Sequence, residues 1–384
     1  MKWIAILLLL CILPGQCAWY NTGWGYRAKI TTQNGKVNAD LTDYPIYVKL
    51  DDFGSGHGIW GHAMTTGADL RVTTSDGTTE VPIEVVKINT TTKVGEIHFK
   101  ATGTLSNTTN ADFYLYYGNG DASAYAASAT YGKNNVWEAN YKIVSHMQSS
   151  SVDSTVNGNT GSDTSVSYAT AGQIGNGATS DAVSDKVVYA DNNSLDISPD
   201  QTVSFWVKSA SSNQKYVASK YNTTGSSSWA LNTDVNVTNP GGWDNKISSD
   251  GTFDNVLDKL YRGGPSTFDN TWHLVHQTFA SNSLVIYEDG VDVTGSFSIL
   301  WAGVTAVIAA TTASVNLFES AGALNGIIGT IDEFRIAKTT RGSTWCSTEY
   351  NNQSSPSTFY TIAAEEAQPA GGATANAINF GILF

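Results

Sequence analysis

Cysteine is almost absent from this chain. There are 3 in 384 residues, at Cys11, Cys17 and Cys346. Two of them sit in the first 17 residues, so removal of that segment leaves Cys346 alone and excludes an intramolecular disulfide. Stability must then come from large hydrophobic cores, which a chain of this length can build. The lone thiol reads as a small buried hydrophobe. Charge is scarce too, at 14% of residues. No cluster of Lys and Arg occurs, which excludes the electrostatic footprint of a nucleic-acid binder. Blocks of Leu, Glu, Lys and Ala that would favour helices are also lacking. The one long apolar run, Trp3 to Leu13, is shorter than the roughly 20 residues needed to cross a bilayer.

What the chain has instead is turn-forming and aromatic residues. Gly occurs 36 times, and 11 Trp, 18 Tyr and 13 Phe bring the aromatic share to 11%. That is too much apolar surface for a disordered chain and favours strands over helices. The net charge of −13 serves solubility or reflects carboxylate-rich loops that hold calcium. At the N-terminus, Lys2, the apolar run, Pro14 and the small residues Gly15 and Cys17 have the order of a secretory signal peptide cut before Ala18. Gln16 disfavours lipid attachment at Cys17. The expectation is an exported protein, secreted or at the cell surface, with no membrane span in its mature chain.

Short alternating segments bounded by turn residues follow one another. They include Tyr44–Leu50, Asp69–Thr73, Val81–Ile88, Glu96–Lys100 and Phe113–Tyr117. Beyond a junction at 126–139 come Tyr141–Met147 and then a long polar stretch to Ser184. Thr202–Lys208, a hairpin of Thr271–Ala280 and Ser283–Asp289, Ser314–Glu319 and Gly329–Ala337 complete the strands. A single helix is predicted after Ser343, over Thr344 to about Asn351. The expected fold is all-β, with two tandem antiparallel β-sandwich modules. Their bounds are 1–17 for the signal peptide, 18–125, the junction, 140–362, and a linker with an apolar tail over 363–384.

Trp24-Gly25-Tyr26-Arg27, Tyr44-Pro45-Ile46, Gly67 to Val72, Asp76-Gly77 and Tyr116 to Asn119 resemble, in order and spacing, the prokaryotic domain of unknown function 2341 family. Such domains often precede a laminin-G-like module, and they bring no established activity. Val152 to Gly158, Phe205 to Lys208, Thr271 to Val275, Ile286 to Gly290, Ile328 to Ile336 and Glu349 to Gln353 resemble the concanavalin A-like, laminin-G-like jelly roll. In related sandwiches an Asp of the closing strand helps to ligate structural Ca²⁺. Asp332 matches that position, so the resemblance implies a calcium ligand; the alternative is an Asp that caps a neighbouring loop.

Glycosidases on this jelly roll carry acids at alternate positions of one strand, in a Glu-x-Asp-x-Glu pattern, where the side chains share a face. No such triplet occurs. Asp332 and Glu333 are adjacent and should face opposite ways, as should His273 and His276. His57 and His62 share a Gly-rich loop without a third ligand. No Gly-x-Ser-x-Gly elbow is present. The reading is therefore non-catalytic. Aromatic rings are natural sugar platforms, and Trp229, Trp243 and Tyr261 fall in what reads as loop sequence, with Asp244 and Asn245 beside Trp243. These five are the candidate ligand residues, of an adhesin-like module that recognises glycan or a surface protein. Two alternatives stand. One is a structural component of a surface assembly or virus-like particle, self-assembling through the tail Ala377–Phe384. The other is a glycan-active hydrolase.

Overall fold

The computed structural model describes residues 18–369 apart from 213, 223–224, 235–240, 255–256, 304–306 and 320–324. The signal-peptide segment and the apolar tail lie outside the described residues. Every paired strand is antiparallel, and the chain forms two sandwiches. In the first, a six-stranded sheet built on Tyr26–Thr32, Asp112–Tyr117 and Arg71–Thr74 faces a three-stranded sheet of Leu41–Lys49, Val94–Leu105 and Ile83–Asn89. Period-2 alternation turns Ala28, Ile30, Val72 and Leu115 of one sheet toward Ile46, Val48, Ile97 and Phe99 of the other, all fully buried.

The second sandwich pairs two eight-stranded sheets. One has Gln201–Ser209 at its centre, flanked by Gly329–Ala337 and His273–Ala280. The predicted hairpin of Thr271–Ala280 and Ser283–Asp289 forms, with strands His273–Ala280 and Ser283–Glu288. Its two-residue turn has Ser281 and Asn282 at φ 42° and 77°, the positive angles that match the twist of a tight hairpin. The other sheet runs Phe297–Ala302, Lys259–Gly263, Trp243–Ile247, Ser226–Thr233, Tyr216–Asn222, Val315–Leu317, Lys186–Tyr189 and Ser162–Thr164. Much of this sheet was expected to be loop. Its strands carry Asn, Ser and Asp on one face, residues depleted in strands generally, so propensity hides a pattern that packing imposes.

The boundary expected at residue 362 moves. Tyr360–Ile362 and Glu366–Ala367 both pair with Tyr26–Thr32, so the C-terminal segment completes the first module's sheet. Part of the expected linker is thus a strand. The helix appears at Ser343–Ser354, wedged between the modules. Its buried residues Trp345, Cys346, Thr348, Glu349, Asn352 and Gln353 recur at helical spacing, but most are polar. Asn352 exchanges two hydrogen bonds with the backbone of Tyr47, at 2.8 and 2.9 Å. Thr348 Oγ1 accepts from Asn38 N–H, and Asn351 donates to the Lys36 carbonyl. On the other side Trp206 Nε1 donates to Gln353 at 2.5 Å. The helix is a polar clamp, and Val144, Ala337 and Trp345 extend the first module's core into the second. Among the described residues no helix is long and apolar enough to cross a membrane.

Candidate ligand-binding face

The inner face of the eight-stranded sheet that ends at Phe297–Ala302 contains four of the five residues expected to bind ligand. Trp229, Trp243 and Tyr261 all belong to the hydrophobic core. Trp243 packs 4.6 Å from Phe268 and donates its indole N–H to Thr267 Oγ1. Asn245 faces inward as well and accepts from Gln277 Nε2 at 3.2 Å. These are strand residues turned to the interior, so they do not form the exposed loop expected. Their polar sequence context reads as loop, but strand alternation turns the rings inward.

Asp244 alone among the five lies on the outer face. It belongs to a register row that crosses five strands: Tyr216, Asn232, Asp244, Arg262 and Ser298. Directly paired residues share a face, so these side chains lie together, Asn232 and Asp244 fully buried, Tyr216 and Arg262 half-buried and Ser298 exposed. Arg262 grips Asp244 with two hydrogen bonds, at 2.5 and 2.8 Å, and reaches Asp234 at 3.4 Å. The Asp244 hydrogen bond raises the guanidinium pKa further. Within the row Asn232 is fully buried, and neither its amide oxygen nor its amide nitrogen has a hydrogen-bond partner. Buried polar atoms are rarely left so.

Beside this row stands an aromatic one. The Tyr216 and Tyr221 rings lie 5.9 Å apart and nearly parallel, and Phe253 stacks on Tyr221 at 5.3 Å. All three are half-buried. Lys246 places its ammonium 5.8 Å from the Phe253 ring, and burial depresses its pKa. Tyr216 and Tyr221 are five residues apart, an odd spacing that a regular strand would turn to opposite faces. Register shifts at Tyr216/Ala218 and Lys220/Tyr221 bring them together, which no sequence pattern announces.

Asp332 is wholly buried. Its two carboxylate oxygens accept the backbone N–H groups of Ile174 and Glu333, each at 2.8 Å, as the capping alternative supposes. Burial pushes its pKa well up. His57 and His62 do not converge: His62 stacks on Tyr26 and pairs with Glu365, while His57 Nδ1 accepts the Ile59 N–H. His273 and His276 separate as expected, toward Asp289 and Glu349 respectively. Among the described residues, two groups have metal-compatible donor spacing: His273 with Glu288 and Asp289, half-buried, and Glu96, His98, His146 and Glu333, fully buried.

No known protein family matches the chain, and no curated protein does. Solved structures resemble it in part. Domain 4 of AbnA, a GH43 extracellular arabinanase from Geobacillus stearothermophilus in complex with arabinotriose, is 18% identical at TM-score 0.37, covering 56% of this chain and 100% of that one. The binding domain of Paraclostridial Mosquitocidal Protein 1 is 14% identical at TM-score 0.40, covering 55% of this chain and 52% of that one. The receptor binding domain of botulinum neurotoxin C/D mosaic serotype is 16% identical at TM-score 0.41, covering 56% of this chain and 51% of that one.

Proposed function

We propose that the chain is an exported, non-catalytic binding protein whose second module recognises glycan on the outer face of the Phe297–Ala302 sheet. The observation that carries this reading is the stacked, half-buried row Tyr216, Tyr221 and Phe253 beside Lys246 and the Asp244–Arg262 pair. A pyranose or furanose ring offers apolar C–H faces to aromatic rings and hydroxyls to the flanking polar groups. Binding of the full chain to an immobilised glycan library tests the reading. Tyr221→Ala should weaken binding by about fivefold, from ~1 kcal/mol of aromatic contact. An empty library, or affinities indifferent to both Tyr221→Ala and Arg262→Ala, would refute it.

One observation favours the assembly alternative. The terminal strand Phe297–Ala302 leaves Ile299 and Leu300 56% and 48% exposed, and exposed apolar edge strands invite pairing with another chain. Light scattering of the full chain and of an Ile299→Lys variant separates the two: oligomers that the variant dissolves indicate assembly.

A further inference from the structure

Where the modules meet, Glu96 and His98 of the first approach His146 and Glu333 of the second, all buried. Glu96 and His98 share a strand face two residues apart. Glu333 should point away from Asp332's neighbours, but it sits in a register shift against Gln201–Ser209, with φ at 50°. A bulge re-aims a side chain, and a non-glycine residue at positive φ persists only where its surroundings impose it. Glu96 Oε1 lies 3.1 Å from His98 Nε2 and 3.6 Å from His146 Nδ1, which is 2.7 Å from Glu333 Oε1. All four donor atoms lie within 4.8 Å of one another. Ligands around tetrahedral zinc stand about 3.3 Å apart, given metal–donor bonds of about 2.0–2.1 Å.

We propose that these four residues bind a divalent transition metal of the zinc type and that the ion joins the two modules. The surroundings are those of a metal site. His146 turns its other nitrogen to Glu84 at 3.3 Å, and Glu84 is itself held by Ser154 and Trp137. This is the carboxylate–histidine arrangement that fixes a metal-bound imidazole. Arg335 holds the other oxygen of Glu333 at 2.5 Å. Ion pairing alone leaves the cluster incomplete: Glu96 Oε2 is buried without a hydrogen-bond partner. An unpaired anionic oxygen in the interior is costly, and a cation answers it. A cavity of about 60 Å³ is lined by Glu96 together with Tyr47, Lys49, Gln148 and Gly175 among others, and an ion would enter from this side.

The test is metal analysis of the full chain by mass spectrometry after gel filtration from zinc-supplemented medium. About one equivalent of zinc is expected, with a fall in melting temperature on chelation and recovery with Zn²⁺. Co²⁺ should give the intense visible absorption of a tetrahedral centre. Glu96→Gln and His98→Ala should abolish it, and Glu84→Gln should weaken metal affinity about 10–100-fold. His273→Ala, in the half-buried group, should change nothing. A chain without metal whose melting ignores both chelator and Zn²⁺ overturns the proposal. So does metal lost in His273→Ala and kept in Glu96→Gln. If the cluster variants fail to fold, the Co²⁺ spectrum of the unaltered chain decides: its absence refutes the centre.

Discussion

Arg335 shows how one residue can hold a buried network together. It is 3% exposed and donates to Glu333 and to Glu349, while Glu349 also meets His276. Removing one partner of such a network strands the others, so Arg335→Met should cost about 3–5 kcal/mol, measured by urea unfolding. A loss below 1 kcal/mol would show that the carboxylates find other partners. The same network sets an acid limb. Burial would raise the Glu349 pKa, but Arg335, His276 and Arg341 outweigh it and hold it at about 2, below the ordinary 4.5. The folded state therefore binds this proton less readily than the unfolded chain. Its stabilisation is present above about pH 4.5 and is lost as pH falls toward 2. For His276, burial is outweighed by Cys346 and Glu349, and the pKa rises from 6.5 to about 10. That contribution is full below pH 6.5 and fades as pH climbs through 10. Thermal unfolding across pH should show both limbs, and Arg335→Met should flatten the acid one. Melting that is independent of pH between 4.5 and 2 would contradict this.

Among the elements, the helix Ser343–Ser354 departs most from what its composition suggests. It lacks a strong apolar stripe, yet half its length is buried, because its partners are backbone groups and polar side chains rather than a hydrophobic face. Asn352→Ala would leave the buried Tyr47 N–H and C=O unpaired, at about 1–3 kcal/mol for each group. A loss of about 2 kcal/mol or more in urea unfolding is expected; a neutral result would mean water replaces the amide. The helix is legible in the residues after Ser343, although its N-cap is Gly342 and Ser343 is its first helical residue, with no side-chain cap; its role as a clamp is not, since a polar helix reads equally well as a solvent-exposed one. The strands around Trp243 failed in the reverse direction. Their inward residues are apolar, but Asn245 interrupts the inner row and bulges break the period, so alternation was not legible.

At the scale of the molecule, the modules are joined three times over: by the helix, by the His/Glu cluster, and by the C-terminal strands that return to Tyr26–Thr32. Calorimetry of the full chain should then record one cooperative transition, whereas two well-separated ones would show the modules to be independent. A chain ended at Ser354 loses Phe359, Tyr360 and both returning strands, which uncovers an edge of the first sheet. It should aggregate at concentrations where the full chain stays soluble.

The sequence by itself determined the all-β class, the two-sandwich order, the hairpin at Ser281-Asn282 and the single long helix. These rest on local signals, chiefly period-2 alternation and turn residues, which are written within a few residues of one another. Tertiary structure decided which face each aromatic takes, that Tyr360–Ile362 belongs to the first module, and that Glu96 and His98 meet His146 and Glu333. These depend on register, on bulges and on contacts between residues up to hundreds of positions apart. Such features arise from close packing of the whole chain, and no local pattern encodes them.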